Sequence, residues 1–184
     1  MKIIIVGGGL GGLASYLALK KHLAEISPPV TIKVYESHPD PISATVSLGN
    51  SISIAPNGLR ALSLVCEAAV TSLTAAGFQY PTFAFRNSRG SLLGHYVGGS
   101  KERHGFVQVF VTRAMVHQAL LREIPQSAVH WGKNVERVEA TGDGVEVQFA
   151  DGSVEHADLV IGADGLKSTV RKSIFGDEFN PKYK

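Results

Sequence analysis

With 184 residues, 44% of them hydrophobic and 18% charged, the chain has the length and composition of one folded domain, able to bury roughly 70% of its unfolded surface; a disordered or fibrous protein is excluded. Eighteen Lys and Arg stand against 16 Asp and Glu, and the net charge of +2 is dispersed, without the basic stripe a phosphate backbone needs, so no nucleic-acid partner is expected. No apolar run is long enough for a membrane span, the start MKIIIVGGG is too short for a secretory signal, and the single cysteine, Cys66, cannot form an internal disulfide, which together point to a soluble protein of the reducing cytoplasm.

The first run, KIIIV (Lys2 to Val6), is apolar and β-branched, as in a strand buried on both faces of a parallel sheet. GGGLGG (Gly7 to Gly12) follows at once and opens a predicted helix, LASYLALKKHLAEI, in which Leu13, Leu17, Ala18 and Leu19 hold helical spacing until Ser27, Pro28 and Pro29 end it. VTIKVYES then supplies a second strand, completing a βαβ unit. Within it Gly7, Gly9 and Gly12 fit G-x-G-x-x-G: the first permits the tight turn, the second lets backbone approach a pyrophosphate, and the third allows close helix packing. Glu36 closes the second strand at about the 20-residue offset where an acid accepts hydrogen bonds from a ribose. The residues therefore predict an α/β fold that binds a dinucleotide, with the phosphates on the helix N-terminus.

Further along, Ile52 and Ile54 alternate in SISI, and Pro56, Asn57 and Gly58 turn the chain into an apolar helix. The segment from Phe78 to Val111 is strand-like but irregular; none of its polar residues has metal-site or nucleophile and base spacing, and His95 and His104 read as surface or hydrogen-bonded histidines. Arg113 starts a helical pattern, VTRAMVHQALL. From Val129 the runs VHW, VERVEA, VEVQF and VEHADLVIGA, parted by glycine turns, predict a β-meander, with a hairpin turn at Asp151 and Gly152. ADLVIGADGLKSTVR ends the readable pattern: a buried strand breaking at Gly162, a turn through Ala163, Asp164 and Gly165, and a helix expected from near Lys167 to Lys172 that Asp164 could cap.

The glycine-rich start, VYE, IAPNGLRAL, VTRAMVHQALL, FADGSVEHADLVIGADG and STVR occur in the order found in FAD-dependent aromatic hydroxylases. The chain resembles these single-component flavoprotein monooxygenases, which include para-hydroxybenzoate and salicylate hydroxylases. The resemblance implies a Rossmann-like, three-layer FAD-binding domain with a β-meander and part of a substrate-side β segment. It implies that Gly7, Gly9, Gly12 and Glu36 bind the ADP half of FAD, that Arg113 reaches the cofactor near its pyrophosphate or ribityl, and that Asp164 and Gly165 belong to an Asp-Gly fingerprint closed by Arg171. NAD(P)H would be the electron donor and a small organic, often aromatic, substrate would be hydroxylated or epoxidised; no metal is implied and no catalytic side chain is assigned.

Two residues depart from the family pattern: Ser37 stands where an arginine often follows the glutamate, and Tyr16 where the first helix usually carries a small residue. The expected division is 1–77 and 112–184 for the two parts of the FAD domain and 78–111 for the substrate-side segment. The family's C-terminal half is expected to be absent, since Gly176 and Asp177 lack the context of its second Gly-Asp motif. That shortness predicts a homodimer or a partner covering the missing half. It also leaves open a shortened relative without flavin turnover, acting as a binding module, a partner-completed half enzyme, or a non-redox cyclase or isomerase. A simpler NAD-binding protein is disfavoured by the Asp-Gly fingerprint and the meander.

Overall fold

A computed structural model describes residues 1–47, 49 and 51–179; Leu48, Asn50 and 180–184, the last stretch of the third expected segment, lie outside the described residues. In chain order the elements are β1 (Lys2–Val6), α1 (Leu10–His22), β2 (Thr31–Tyr35), α2 (Pro41–Ser47), β3 (Ser51–Ile54), α3 (Pro56–Val65), α4 (Glu67–Ala76) and β4 (Phe78–Gln79). There follow β5 (Thr82–Arg86), β6 (Leu92–Val97), α5 (Lys101–His104), β7 (Val109–Thr112), α6 (Arg113–Leu121), β8 (Val129–His130), β9 (Val135–Thr141), β10 (Gly144–Phe149), β11 (Val154–Ala157), β12 (Leu159–Gly162) and α7 (Thr169–Phe175). The chain divides into two compact units, 1–47 with 120–184, and 48–119. None of the described helices is long and apolar enough to cross a membrane.

The first unit is built on a parallel sheet of order β12-β1-β2-β8. β1 is central, and its β-branched residues are buried on both faces: Ile3, Ile4 and Ile5 expose 1% or less. Alternation sends Ile4 and Val6 toward a core shared with Tyr35, Val138, Val147, Phe149 and Val170, beneath the antiparallel sheet β11-β10-β9. Ile3 and Ile5 point the other way, toward the side that α1 covers with Leu13 and Tyr16. Tyr16, the departure from a small residue, is only 5% exposed and fills this layer. Helix, parallel sheet and meander make the three layers of a Rossmann-like fold.

Two boundaries differ from the sequence expectation. The VH run does not join the meander; as β8 it pairs in parallel with Val34 and Tyr35 at the edge of the main sheet, and the meander proper is β9 to β11. Two residues are too few for periodicity to reveal a partner. The helix expected near Lys167 starts at Thr169, because Ser168 caps it by accepting from the Arg171 amide at 2.9 Å, and Gly165 to Lys167 form a single 3-10 turn instead. The Asp151 and Gly152 turn is as expected, closed by the Gly152 amide on Phe149 O at 2.9 Å, with Gly152 at φ +80°.

Glu155 ties the layers of this unit together. It accepts from Tyr35 Oη at 2.8 Å and Lys33 Nζ at 3.3 Å and is ion-paired with Lys2, and these donors, chiefly Lys2, draw its carboxyl down from 4.5 to about 2. A carboxylate with a depressed folded value stabilises above its unfolded value, and that contribution drains away as pH falls toward the folded one. We therefore expect urea midpoints of the parent chain to fall between pH 4.5 and 2, and Glu155→Gln to flatten that segment of the curve. An unchanged slope in the variant would remove Glu155 from this role.

The second unit holds the antiparallel sheet β3-β7-β4, α3 and α4, and a separate hairpin of β5 and β6. Pro56 occupies the first turn of α3, where its missing N–H is no loss, and Cys66 interrupts the apolar run by capping α4 with Sγ, 3.4 Å from the Ala69 amide. Leu59, Leu73, Val109 and Val111 form its core. The hairpin is exposed along nearly its whole length, with Phe83 packed edge-on to Phe85 and tilted against Tyr96.

Candidate cofactor site

The two sequence motifs, far apart along the chain, meet at the C-terminal ends of β1 and β12. The Ala163 amide donates to Val6 O at 2.8 Å, which carries the Asp164 turn alongside the glycine loop. Contact there is backbone on backbone. Gly7 lies at φ +103°, and a Cβ on it would fall 2.4 Å from Ala163 O and 2.9 Å from Asp164 N. A Cβ on Gly12 would fall 1.9 Å from Gly7 O and 3.4 Å from the Ala163 methyl. These two glycines are required by the protein itself. Gly9 is different: a Cβ there meets nothing within 4 Å, so the space beside it is open to a ligand.

Gly9 is the N-cap of α1, and it brings no capping side chain; no acid stands in the first turn. The first intrahelical bond runs from the Leu13 amide to Gly9 O at 3.0 Å. The amides of Leu10, Gly11 and Gly12 therefore lack partners within the helix, at the positive end of its dipole, an arrangement that favours a phosphate group.

Glu36 lies one residue past β2 and is 9% exposed. Its Oε2 accepts from the Gly8 amide at 2.6 Å, and its Oε1 from the His38 amide at 2.9 Å and Ser37 Oγ at 3.0 Å. The short β8 explains its placement. The Glu36 amide donates to His130 O at 2.9 Å, and the His130 ring stacks on Tyr35 with centroids 4.7 Å apart. Gly8, which the motif spacing did not single out, is part of this arrangement: a Cβ on it would fall 3.0 Å from Glu36 Cβ and 3.1 Å from Oε2. Its signal was the middle glycine of GGG, at the x position of G-x-G, which the motif does not demand.

Asp164 spends its carboxylate on α7: Oδ2 accepts from the amides of Thr169 at 2.7 Å and Val170 at 3.2 Å, and Oδ1 from Ser168 Oγ at 2.6 Å. It thus fixes the turn that carries Gly165, which sits at φ +72° with open space around it. Arg171 clasps the same turn, donating to Leu166 O at 2.7 Å. Gly162 lets α7 approach, since a Cβ there would fall 2.7 Å from Val170 Cβ. Gly7, Gly9, Gly12, Glu36, Asp164 and Gly165 are thus gathered in one unit.

Arg113 belongs to the second unit, exposed at the first position of α6, where Thr112 Oγ1 accepts from the Met115 amide at 3.1 Å. That unit also holds a group the sequence did not single out. Gln108 is 8% exposed; its Nε2 donates to Tyr80 Oη at 2.8 Å and to Ser53 Oγ, while its Oε1 has no hydrogen-bond partner. The visible hint was a glutamine inside the apolar run FVQVFV. No metal-binding group of His, Cys, Asp or Glu occurs among the described residues.

A family described as the FAD binding domain matches residues 67–180. Among curated proteins, 3-amino-4-hydroxybenzoate 2-monooxygenase of Streptomyces cremeus is 32% identical over all of this chain and 44% of its own length. Salicylate hydroxylase of Pseudomonas putida is 30% identical over all of this chain and 41% of its own. The crystal structure of Klebsiella pneumoniae HpxO complexed with FAD and uric acid superimposes with a TM-score of 0.76 at 29% identity, covering 94% of this chain and 41% of that one. The chain thus spans less than half the length of the relatives it matches.

Proposed function

The chain belongs to the FAD binding domain family, and from that premise we propose that it is the FAD-binding portion of a monooxygenase acting on a small organic, aromatic substrate with NAD(P)H and O2. One observation carries the reading. Of the three motif glycines, two are demanded by backbone contacts, whereas the third borders open space next to the first-turn amides of α1, which have no partner within the helix. A protein that needed only the turn would gain nothing from that opening.

The residues present fit the cofactor. The amides of Leu10 to Gly12 would hold the pyrophosphate, Glu36 the adenosine ribose, and the turn at Asp164 and Gly165 the next stretch of FAD. Arg113 would pair with a phosphate or reach the ribityl chain, as a guanidinium fork is suited to do. When bound, FAD supplies the redox chemistry by which an oxygen atom is added to the substrate at the expense of NAD(P)H. The chain's own part is to bind and orient: the α1 N-terminus neutralises phosphate charge, and the Asp164 clasp keeps its turn from moving away from Gly7. The substrates in the relatives' names, an aminohydroxybenzoate and salicylate, support an aromatic substrate here. The exposed apolar residues of the hairpin, Phe85 and Leu93 at 53% and 69%, support a homodimer or a covering partner, and Cys66 as the only cysteine supports a reducing cytoplasm.

The purified protein is expected to be yellow, to release FAD on denaturation, and to oxidise NAD(P)H faster when hydroxybenzoates are added. A colourless protein that quenches no flavin fluorescence on titration would overturn the reading.

A further inference from the structure

The Glu36 carboxylate has two oxygens and about four lone-pair positions, and the donors around it are unevenly shared. Oε1 takes two, the His38 amide at 2.9 Å and the Ser37 hydroxyl at 3.0 Å. Oε2 takes one, the Gly8 amide at 2.6 Å, and lies on the side of the glycine loop. We infer that Ser37 is a positioning residue for the adenosine ribose: with the His38 amide it fills Oε1 and locks the carboxylate so that Oε2 alone accepts a ribose hydroxyl.

The inference rests on FAD as the ligand, and it narrows how this chain recognises it. Two amides belong to the backbone and would be present with any side chain at these positions. The hydroxyl at 37 is the one contribution that the side-chain sequence decides. An arginine at that position could not supply a short hydroxyl donor to its neighbour's carboxylate. The locked geometry also means that one hydroxyl of the ribose diol, not both, is read by Glu36.

The test is flavin fluorescence quenching with the whole chain, titrating FAD, its 2′-deoxyadenosine and 3′-deoxyadenosine analogues, and FMN, which lacks the adenosine. Ser37→Ala is expected to weaken FAD about threefold to tenfold, as for loss of one hydrogen bond, while Ser37→Thr retains the parent affinity. One of the two deoxy analogues should bind the parent more weakly than FAD does, and with that analogue the Ser37→Ala loss should shrink below about twofold, as coupling through one hydroxyl requires. FMN binding should not change. The inference is overturned if Ser37→Ala binds FAD like the parent, if its loss is the same for FAD, both analogues and FMN, or if Ser37→Thr does not rescue. A parent chain that quenches neither FAD nor FMN overturns the FAD reading and this inference together; a parent that binds FAD with an indifferent variant overturns this inference alone.

Discussion

Gly12→Ala is expected to cost the fold about 2–3 kcal/mol and roughly 5–10 °C of Tm, whereas Gly9→Ala should leave stability untouched and remove FAD binding. The added methyl at position 12 would lie 1.9 Å from the Gly7 carbonyl oxygen, a backbone atom held from the other side by the Asp164 turn. Neither side can yield without separating α1 from β1. At position 9 the same methyl meets no protein atom within 4 Å, so only a ligand lying against the backbone would feel it. Gly11 provides the control: it is also open, but it is exposed on the helix surface, so alanine there should do no harm and can gain up to about 1 kcal/mol of helix propensity. Thermal unfolding by circular dichroism and flavin titration separate the three variants. If Gly9→Ala bound FAD like the parent, the phosphate site at the α1 N-terminus would be misplaced.

Glu36→Ala is expected to cut FAD affinity about tenfold to a hundredfold, matching the roughly 1.5–3 kcal/mol carried by a hydrogen bond to a charged group, while FMN binding stays the same. The carboxylate is nearly buried and receives three donors, so its removal also takes this acceptor from the amides of Gly8 and His38. A loss of stability of about 1–3 kcal/mol should accompany the binding defect for that reason. Glu36→Gln should fall between parent and alanine. Its amide nitrogen can face Ser37, whose hydroxyl can turn to accept, but the His38 amide then loses its acceptor. The comparison with FMN decides the matter, because a general collapse of the site would weaken both flavins equally.

The legible part of this protein was its periodic and glycine-marked part. KIIIV could be assigned to a central strand because three consecutive β-branched residues suit a position covered on both faces, and Ile3, Ile4 and Ile5 occupy it. The G-x-G-x-x-G register and the acid after the second strand were visible because they stand at set spacings within one strand, turn, helix and strand unit. Local pattern was also enough for the hairpin at Asp151 and Gly152.

What stayed hidden depended on partners distant in sequence. VH reads as the start of a meander, yet its two residues lie on the parallel sheet, where the His130 carbonyl holds the Glu36 amide. The helix start moved from Lys167 to Thr169 because Ser168 and Asp164 divide the first-turn amides between them, Ser168 taking that of Arg171 and Asp164 those of Thr169 and Val170, an arrangement that propensity does not rank. Gln108 carried no spacing signal; only burial beside Ser53 and Tyr80 sets it apart.

From the sequence by itself came the βαβ unit, the glycine register, the acid at position 36 and the Asp-Gly turn, since each is encoded by neighbours a few residues apart. Tertiary structure alone decided that Ala163 and Asp164 press on Gly7, that Gly8 and Ser37 complete the Glu36 clasp, and that Asp164 is committed to α7. The reason is that hydrogen-bond saturation and close backbone approach depend on which strand ends the fold brings side by side, and no spacing along the chain records that.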